Sequence, residues 1–297
     1  TTQSPRGPMT RILLTGAAGM LGRDLVDVLS DDDITATTRQ QLDITDAAAV
    51  DQAVAGHDVV INAAAYTAVD QAETERDLAF AINADGPRHL AEAAARHGRR
   101  LIHVSTDYVF DGAARFPYPE DTPRHPQSVY GASKAAGEEA IEAEHPDGSI
   151  IIRTAWLYGQ HGQHFPATML RLAESHDTVS VVTDQFGQPT WSLDLAHMIR
   201  TLVESGIASG VFHGTNAGQA SWFDFAQTIF ASAGLDPRRV QGTTSDQFPR
   251  PAARPPWSVL GHDAWDAAGL PRPRPWNEAW DEAYPVIFSD RVPRSGS

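Results

Sequence analysis

Short, continuously apolar runs alternate with longer stretches whose apolar residues recur every three or four positions. Arg11-Ile12-Leu13-Leu14-Thr15 is one such run, and Leu25, Val26, Val28 and Leu29 follow it at helical spacing. Further apolar runs lie at Ile34–Thr37, Asp58–Ala63, Leu101–Ser105 and Ile150–Thr154. Alanine-rich helical stretches, Leu90–His97 and Ala132–Glu144, fall between them. A strand covered on both faces reads as an unbroken apolar run, so this alternation predicts βαβ units and a doubly wound parallel sheet with helices on both sides. From about Gly159 the pattern loosens. Periodic segments at Phe165–Ala173, Leu195–Val203 and Trp222–Ala233 are separated by aromatic and proline-rich sequence, including Pro249–Pro256 and Pro271–Pro275. The expected organisation is a first domain over residues 9–158, a smaller and less regular C-terminal lobe over most of 159–288 with some segments returning to the first domain, and loose termini at 1–8 and 289–297.

Composition narrows the chemistry. With 41 % apolar residues and 23 glycines in 297 positions, the chain can bury a large core. The absence of cysteine excludes disulfides, thiolate metal sites and cysteine nucleophiles. A net charge of −15 disfavours nucleic acid unless a basic face is concentrated, and none is evident. No apolar run reaches the roughly 18 residues of a membrane span, and a cytoplasmic protein is expected. Lys134 is the only lysine among 23 basic residues, which draws attention to that ammonium.

Two motifs supply the chemistry. Gly16, Gly19 and Gly22, spaced three apart and enclosing Met20 and Leu21, lie where a strand turns into a helix. Residues without Cβ let the backbone approach a diphosphate, whose charge meets the free N–H groups and positive end of the helix. The second strand runs into Thr38 and Arg39 with no acid at its end, which favours the 2′-phosphate of NADPH, with NADH as the alternative. Asp43 and Ile44 follow at a distance suited to the adenine edge, although Asp43 could equally cap the next helix. Tyr130 and Lys134, four apart at the start of a helix, share one face, where an ammonium is expected to bring the phenol pKa down toward working pH and make it a usable general acid. Ser105-Thr106-Asp107-Tyr108 ends another strand, at the edge where open parallel sheets bind ligands. A hydroxyl there can hold a substrate carbonyl, or cap a turn.

These motifs resemble the extended short-chain dehydrogenase/reductases and, within them, the dTDP-4-dehydrorhamnose reductases. The likeness runs from about Arg11 to Tyr284. It includes Thr15-Gly16-Ala17-Ala18-Gly19-Met20-Leu21-Gly22, Asn62-Ala63-Ala64-Ala65-Tyr66-Thr67-Ala68-Val69-Asp70, Ser105–Gly112, Tyr130 with Lys134, Arg153–Trp156 and Asp184–Thr190. The resemblance implies a Rossmann-type NAD(P)-binding domain and a substrate-binding lobe. It implies Thr106, Tyr130 and Lys134 as the catalytic set, and Ala63, Ala64 and Ala65 as small residues beneath the cofactor. Thr67, Asp107, Tyr108 and Trp156 would lie around the sugar, and Arg250 or Arg254 near the diphosphate. The implied reaction is reduction of the C4 ketone of dTDP-4-dehydro-L-rhamnose to dTDP-L-rhamnose by NADPH.

The sequence departs from some relatives. After Pro189-Thr190 comes Trp191-Ser192-Leu193, without the carboxylate expected of a metal-bridged dimer, so no metal is expected; His161 and His164 alone do not make a site. Tyr108 stands where sugar-nucleotide dehydratases have an acid beside Asp107. The expected partners are a dTDP-linked keto-deoxysugar and, for assembly, a second copy in a homodimer, with neither nucleic acid nor membrane. The alternatives are a 4-ketoreductase for another dTDP-deoxysugar, such as a dihydrostreptose-type antibiotic sugar, a non-catalytic subunit like that of methionine adenosyltransferase, and an epimerase of the same superfamily.

Overall fold

The computed structural model describes residues 9–291; the expected loose segments 1–8 and 292–297 lie outside them. Residues 289–291 form a short 3₁₀ turn following the last helix.

In chain order the principal elements are β1 (Arg11–Thr15), α1 (Met20–Val28), β2 (Asp33–Thr37), α2 (Ala47–Ala55), β3 (Val59–Asn62), α3 (Gly86–His97), β4 (Arg100–Thr106), α4 (Val129–Glu144), β5 (Ser149–Thr154), α5 (Phe165–Ser175), α6 (Ser192–Ser205), β6 (Gly210–His213), α7 (Trp222–Ser232) and α8 (Trp276–Ile287). Six strands form one sheet in the order β6-β5-β4-β3-β1-β2, every neighbouring pair parallel. Because successive side chains of a strand point to opposite faces, the apolar runs serve two cores at once. Ile12, Leu14, Ile150 and Ile152 face Leu25, Leu195 and Ile199 on one side, whereas Leu13, Ile151 and Val60 face Val50, Val54, Leu90 and Ile141 on the other. That is the doubly wound α/β arrangement.

The lobe has a core of its own, built from Tyr158, Met169, Leu170, Trp191, Phe225, Phe230 and Trp280. Two segments after residue 159 join the sheet domain: α6 packs on α1, and β6 extends the sheet beside β5. Among the described residues no helix is long and apolar enough to cross a membrane.

Candidate active site

The carboxyl ends of β1, β3, β4 and β5 converge on one edge of the sheet, and the sequence motifs meet there. Gly16 has a left-handed φ of 73°, and a Cβ on it would lie 2.6 Å from the Ala63 backbone. A Cβ on Gly22 would lie 2.1 Å from the Gly16 carbonyl oxygen, so α1 can start tight against the turn only with glycine there. The turn is held by Gly19 N donating to Gly16 O and by Ala17 N donating to Thr37 O at the end of β2, both at 3.1 Å. α1 begins at Gly19 with no side chain capping it and no acid in its first turn. Its first N–H groups and the positive end of its dipole are therefore open to an anion, the fit a dinucleotide diphosphate needs. Met20 is half-buried and Leu21 is buried in the core.

Arg39 follows β2, largely exposed, its Nε 3.9 Å from the Asp43 carboxylate. Asp43 does not cap α2. It accepts from Thr45 N at 2.9 Å and Thr45 Oγ1 at 2.7 Å, bonds that lower its pKa, and Asp46 caps the helix instead. Ile44 is buried among Val50, Val54 and Leu90. Ala63, Ala64 and Ala65 follow β3 at half-buried positions, and Thr67 beyond them is exposed.

α4 places Tyr130 and Lys134. Ser128 caps the helix by accepting from Gly131 N at 3.0 Å, and Val129 N donates to Glu73 Oε1 at 2.9 Å. Asn83, inside a π-helical turn at Ala81–Asp85, donates to Ser133 Oγ at 3.0 Å and receives Tyr66 N at 2.8 Å, tying α4 to the segment after β3. Lys134 Nζ donates to the Val104 carbonyl of β4 at 2.7 Å, and burial lowers the ammonium pKa to about 8, Glu138 opposing. The expectation that Tyr130 would be brought down is not met in the protein alone. Burial pushes its phenol up to about 12, the Thr106 hydroxyl works the other way, and the Asp107 charge raises it further. Lys134 leaves the phenol unassisted because its ammonium is committed to a backbone carbonyl and is itself costly to keep charged in a buried position.

Thr106 is a cap as well as a candidate site residue: its Oγ1 accepts from Tyr108 N at 3.2 Å and donates to Asp107 Oδ1 at 3.0 Å. Tyr108 packs edge-on against Tyr130, ring centroids 5.4 Å apart. Beyond Tyr108 opens a cavity of about 580 Å³ lined by Trp156, Phe165, Trp222, Arg250 and Arg254. Trp156 has a left-handed φ of 50°, the one positive value outside glycine among the described residues, and its ring stacks on Trp222 at 3.5 Å. Arg254 is clamped by Asp70, with both oxygens at 2.9 Å, while the more exposed Arg250 lies 4.0 Å from the same carboxylate. The structure thus gathers Tyr108, Trp156, Arg250 and Arg254 on one cavity and leaves Thr67 off its lining. His164 caps α5, accepting from Ala167 N at 3.3 Å.

Several residues escaped the sequence reading. Glu138, fully buried one turn beyond Lys134, receives Arg153 Nε at 2.9 Å and Nη2 at 2.7 Å, Arg124 Nη1 at 3.0 Å and Ser105 Oγ at 2.5 Å. Its position four after Lys134 was a usable signal. Asp70 stands in the Asn62–Asp70 motif, but nothing local pointed to its partner or to that of Trp222, since both are remote in sequence.

A glycine turn opening α1, a Tyr-Lys pair on α4 and a threonine at the end of β4, all on one edge of a doubly wound parallel sheet, define the class of extended short-chain dehydrogenase/reductases. The comparisons narrow this class. The family model described as the RmlD substrate binding domain matches residues 9–287, and the chain belongs to that family, the dTDP-4-dehydrorhamnose reductases. It is 49 % identical to a dTDP-4-dehydrorhamnose reductase of Streptomyces griseus over 94 % of this chain and 95 % of the relative. It is 48 % identical to a dTDP-4-keto-6-deoxy-D-glucose reductase of Streptomyces niveus, over 94 % and 98 %. The solved structure of dTDP-4-dehydrorhamnose reductase from Bacillus anthracis in complex with NADP superposes with a TM-score of 0.89 at 39 % identity, covering 93 % of this chain and 99 % of that one.

Proposed function

We propose that this protein is an enzyme that reduces the C4 ketone of dTDP-4-dehydro-L-rhamnose to dTDP-L-rhamnose with NADPH. The observation that supports it most is the intact Thr106-Tyr130-Lys134 set behind a cavity bearing Arg250 and Arg254, in a chain nearly half identical to reductases of dTDP-keto sugars. The open start of α1 would hold the cofactor diphosphate, Ala63, Ala64 and Ala65 would form the floor beneath it, and Arg39 would be the residue to meet the 2′-phosphate. The bound reduced nicotinamide supplies the hydride for the carbonyl carbon.

The chain's own residues manage the proton. Tyr130, with its pKa near 12, stays protonated at neutral pH, the form a proton donor to the carbonyl oxygen must have. Tyr130 meets the charge developing on that oxygen with a donor already in place, and Thr106 joins it when its hydroxyl is not committed to Asp107. Lys134, still charged at neutral pH and on the same helix face, would have to turn from the Val104 carbonyl to the phenolate to relay a proton to it from solvent. Trp156 and Tyr108 face the sugar from the cavity, with Asp107 buried beside Thr106 and Thr67 beyond the lining, and Arg250 and Arg254 supply positive charge to the diphosphate. In this reading residues 9–158 hold the cofactor and most of 159–288 the substrate, in a cytoplasmic homodimer, an assembly that sedimentation of the purified protein tests.

A second reading, reduction of another dTDP-keto-deoxysugar, is favoured by the names of relatives 47–48 % identical, one for dTDP-4-keto-6-deoxy-D-glucose and one probable 4-ketoreductase of dTDP-4,6-dihydroxy-2-methyloxan-3-one. The deciding experiment supplies each keto sugar with NADPH, follows NADPH absorbance and identifies the product. Oxidation stoichiometric with dTDP-L-rhamnose supports the first reading. Turnover confined to another keto sugar replaces it with the second.

A further inference from the structure

The hydroxyl of Thr106 can be accounted for atom by atom. It has one proton to give and two lone pairs. One lone pair takes Tyr108 N–H at 3.2 Å, and the proton goes to Asp107 Oδ1 at 3.0 Å. Both residues are buried, at 5 % and 3 % exposure. Asp107 Oδ2, also buried, has no hydrogen-bond partner among the described residues; Ser258, near enough to favour the ionised carboxyl, donates to the Phe186 carbonyl oxygen at 3.3 Å. A carboxyl group with one oxygen left bare in the interior is poorly compensated as an anion.

The two protonation states of this carboxyl give Thr106 opposite roles. Beside a carboxylate, the Thr106 proton is consumed and its remaining lone pair can only accept. Beside a carboxylic acid protonated on Oδ1, Thr106 accepts from the acid and from Tyr108 N–H, and its own proton is released toward the site. We propose that Asp107 is a positioning residue that sets the hydrogen-bond polarity of Thr106, making it a donor to the substrate ketone oxygen when Asp107 is protonated and withdrawing that donor when Asp107 is ionised. The inference rests on the ketone-reduction reading above.

The surroundings support it. Burial pushes Asp107 up to about 6, with the Ser258 and Thr106 hydroxyls acting in the other direction. The titratable groups that face it are Tyr108 on the same turn and Tyr130 on α4, both pushed up in part by its charge; Arg254 and Asp70 act on Tyr108 from the far side. Tyr130 stays protonated to about 12 and Lys134 titrates near 8, so a change centred lower belongs to neither. As pH rises through the Asp107 ionisation, the donor is lost and kcat falls.

The test records kcat against pH for the wild type, Asp107→Asn and Thr106→Val, together with an infrared titration of the carboxyl in the protein without substrate. In the wild type, kcat is expected to fall about tenfold between about pH 5.5 and 7.5, less than the roughly 10²-fold cost of removing a preset donor outright because the protonated form is only partly depleted across that window. Asp107→Asn, whose amide can donate to Thr106 at every pH, gives a flat profile in that window, and so does Thr106→Val. In the infrared titration Thr106→Val moves the Asp107 midpoint upward, since the carboxylate loses a donor. A limb that survives in either variant, or a midpoint that Thr106→Val leaves unmoved, overturns the proposal. The wild type and Thr106→Val suffice if Asp107→Asn does not fold. Absence of turnover on any keto sugar at any pH, with the infrared midpoint still coupled to Thr106, overturns the reductase reading while supporting the coupling of the two groups.

Discussion

The two halves of the site are held by different forces. On the sheet edge, Lys134, Glu138, Arg153 and Ser105 are all buried, and each is fixed by hydrogen bonds between α4 and the strands β4 and β5, while buried Thr106 is held by its neighbours Asp107 and Tyr108. Across the cavity, the lobe relies on stacked rings, Trp156 on Trp222 and Trp222 beside Phe165, and on one partly exposed clamp between Arg254 and Asp70. Directional bonds to buried charges fix a few atoms closely, which suits groups that exchange a proton. Flat apolar surfaces tolerate small shifts, which suits a pocket that must accept and release a nucleotide sugar. The contrast teaches that mutations on the sheet edge should damage rate or folding, and mutations across the cavity should damage affinity.

The sharpest division is expected from Tyr130→Phe. Removing the proton donor should lower kcat by a factor of about 10² to 10⁴ while NADPH binding, measured by fluorescence titration, stays nearly intact. Retained turnover would remove Tyr130 from its role as the acid. Glu138→Ala probes the same half through folding, since it strands the Arg153 guanidinium in the interior. A loss of about 3–5 kcal/mol in urea unfolding is expected, as for a buried pair broken on one side. A loss under 1 kcal/mol would mean that Arg124 and Arg153 find water or other partners. On the lobe side, Trp222→Ala removes the support of Trp156, whose backbone is held at φ 50°. An aromatic pair is worth about 0.5–1.5 kcal/mol, so KM for the sugar nucleotide should rise about 2- to 10-fold with kcat changed less. A matching drop in kcat with KM unchanged would erase the distinction between the halves.

The same contrast governs what the sequence made legible. Strands β1, β3, β4 and β5 announced themselves because burial on both faces forces a continuous apolar run, and the glycine turn and the Tyr-Lys pair are local in sequence. β6, only Gly210–His213, is too short and too mixed to signal a strand. The Asp70–Arg254 clamp joins positions 184 apart, and the Trp156–Trp222 stack joins two regions whose approach only the folded lobe decides. Which of Arg250 and Arg254 is pre-set was likewise beyond spacing: Asp70 holds Arg254 bidentately and leaves Arg250 exposed. The upward direction of the Tyr130 shift is not legible in the sequence, because helical spacing places an ammonium near a phenol but says nothing about burial, the largest cause acting on both groups.

The smallest effect expected lies at the rim of the rigid half. Arg39 stands just past β2, whose last carbonyl, Thr37 O, is bonded to Ala17 in the glycine turn, so the residue is placed beside the turn proposed to anchor the dinucleotide. Its side chain is 69 % exposed and only loosely paired with Asp43 at 3.9 Å, leaving the guanidinium free to turn toward a phosphate. An exposed charge-assisted contact of this kind is worth about 1 kcal/mol, screened by salt. Arg39→Ala should therefore raise KM for NADPH about fivefold and leave KM for NADH within about twofold, with kcat for both unchanged and the difference shrinking as salt is added. Equal weakening of both cofactors would show that Arg39 steadies the turn as a whole and does not read the 2′-phosphate, and the preference for NADPH would then have to come from the backbone after β2.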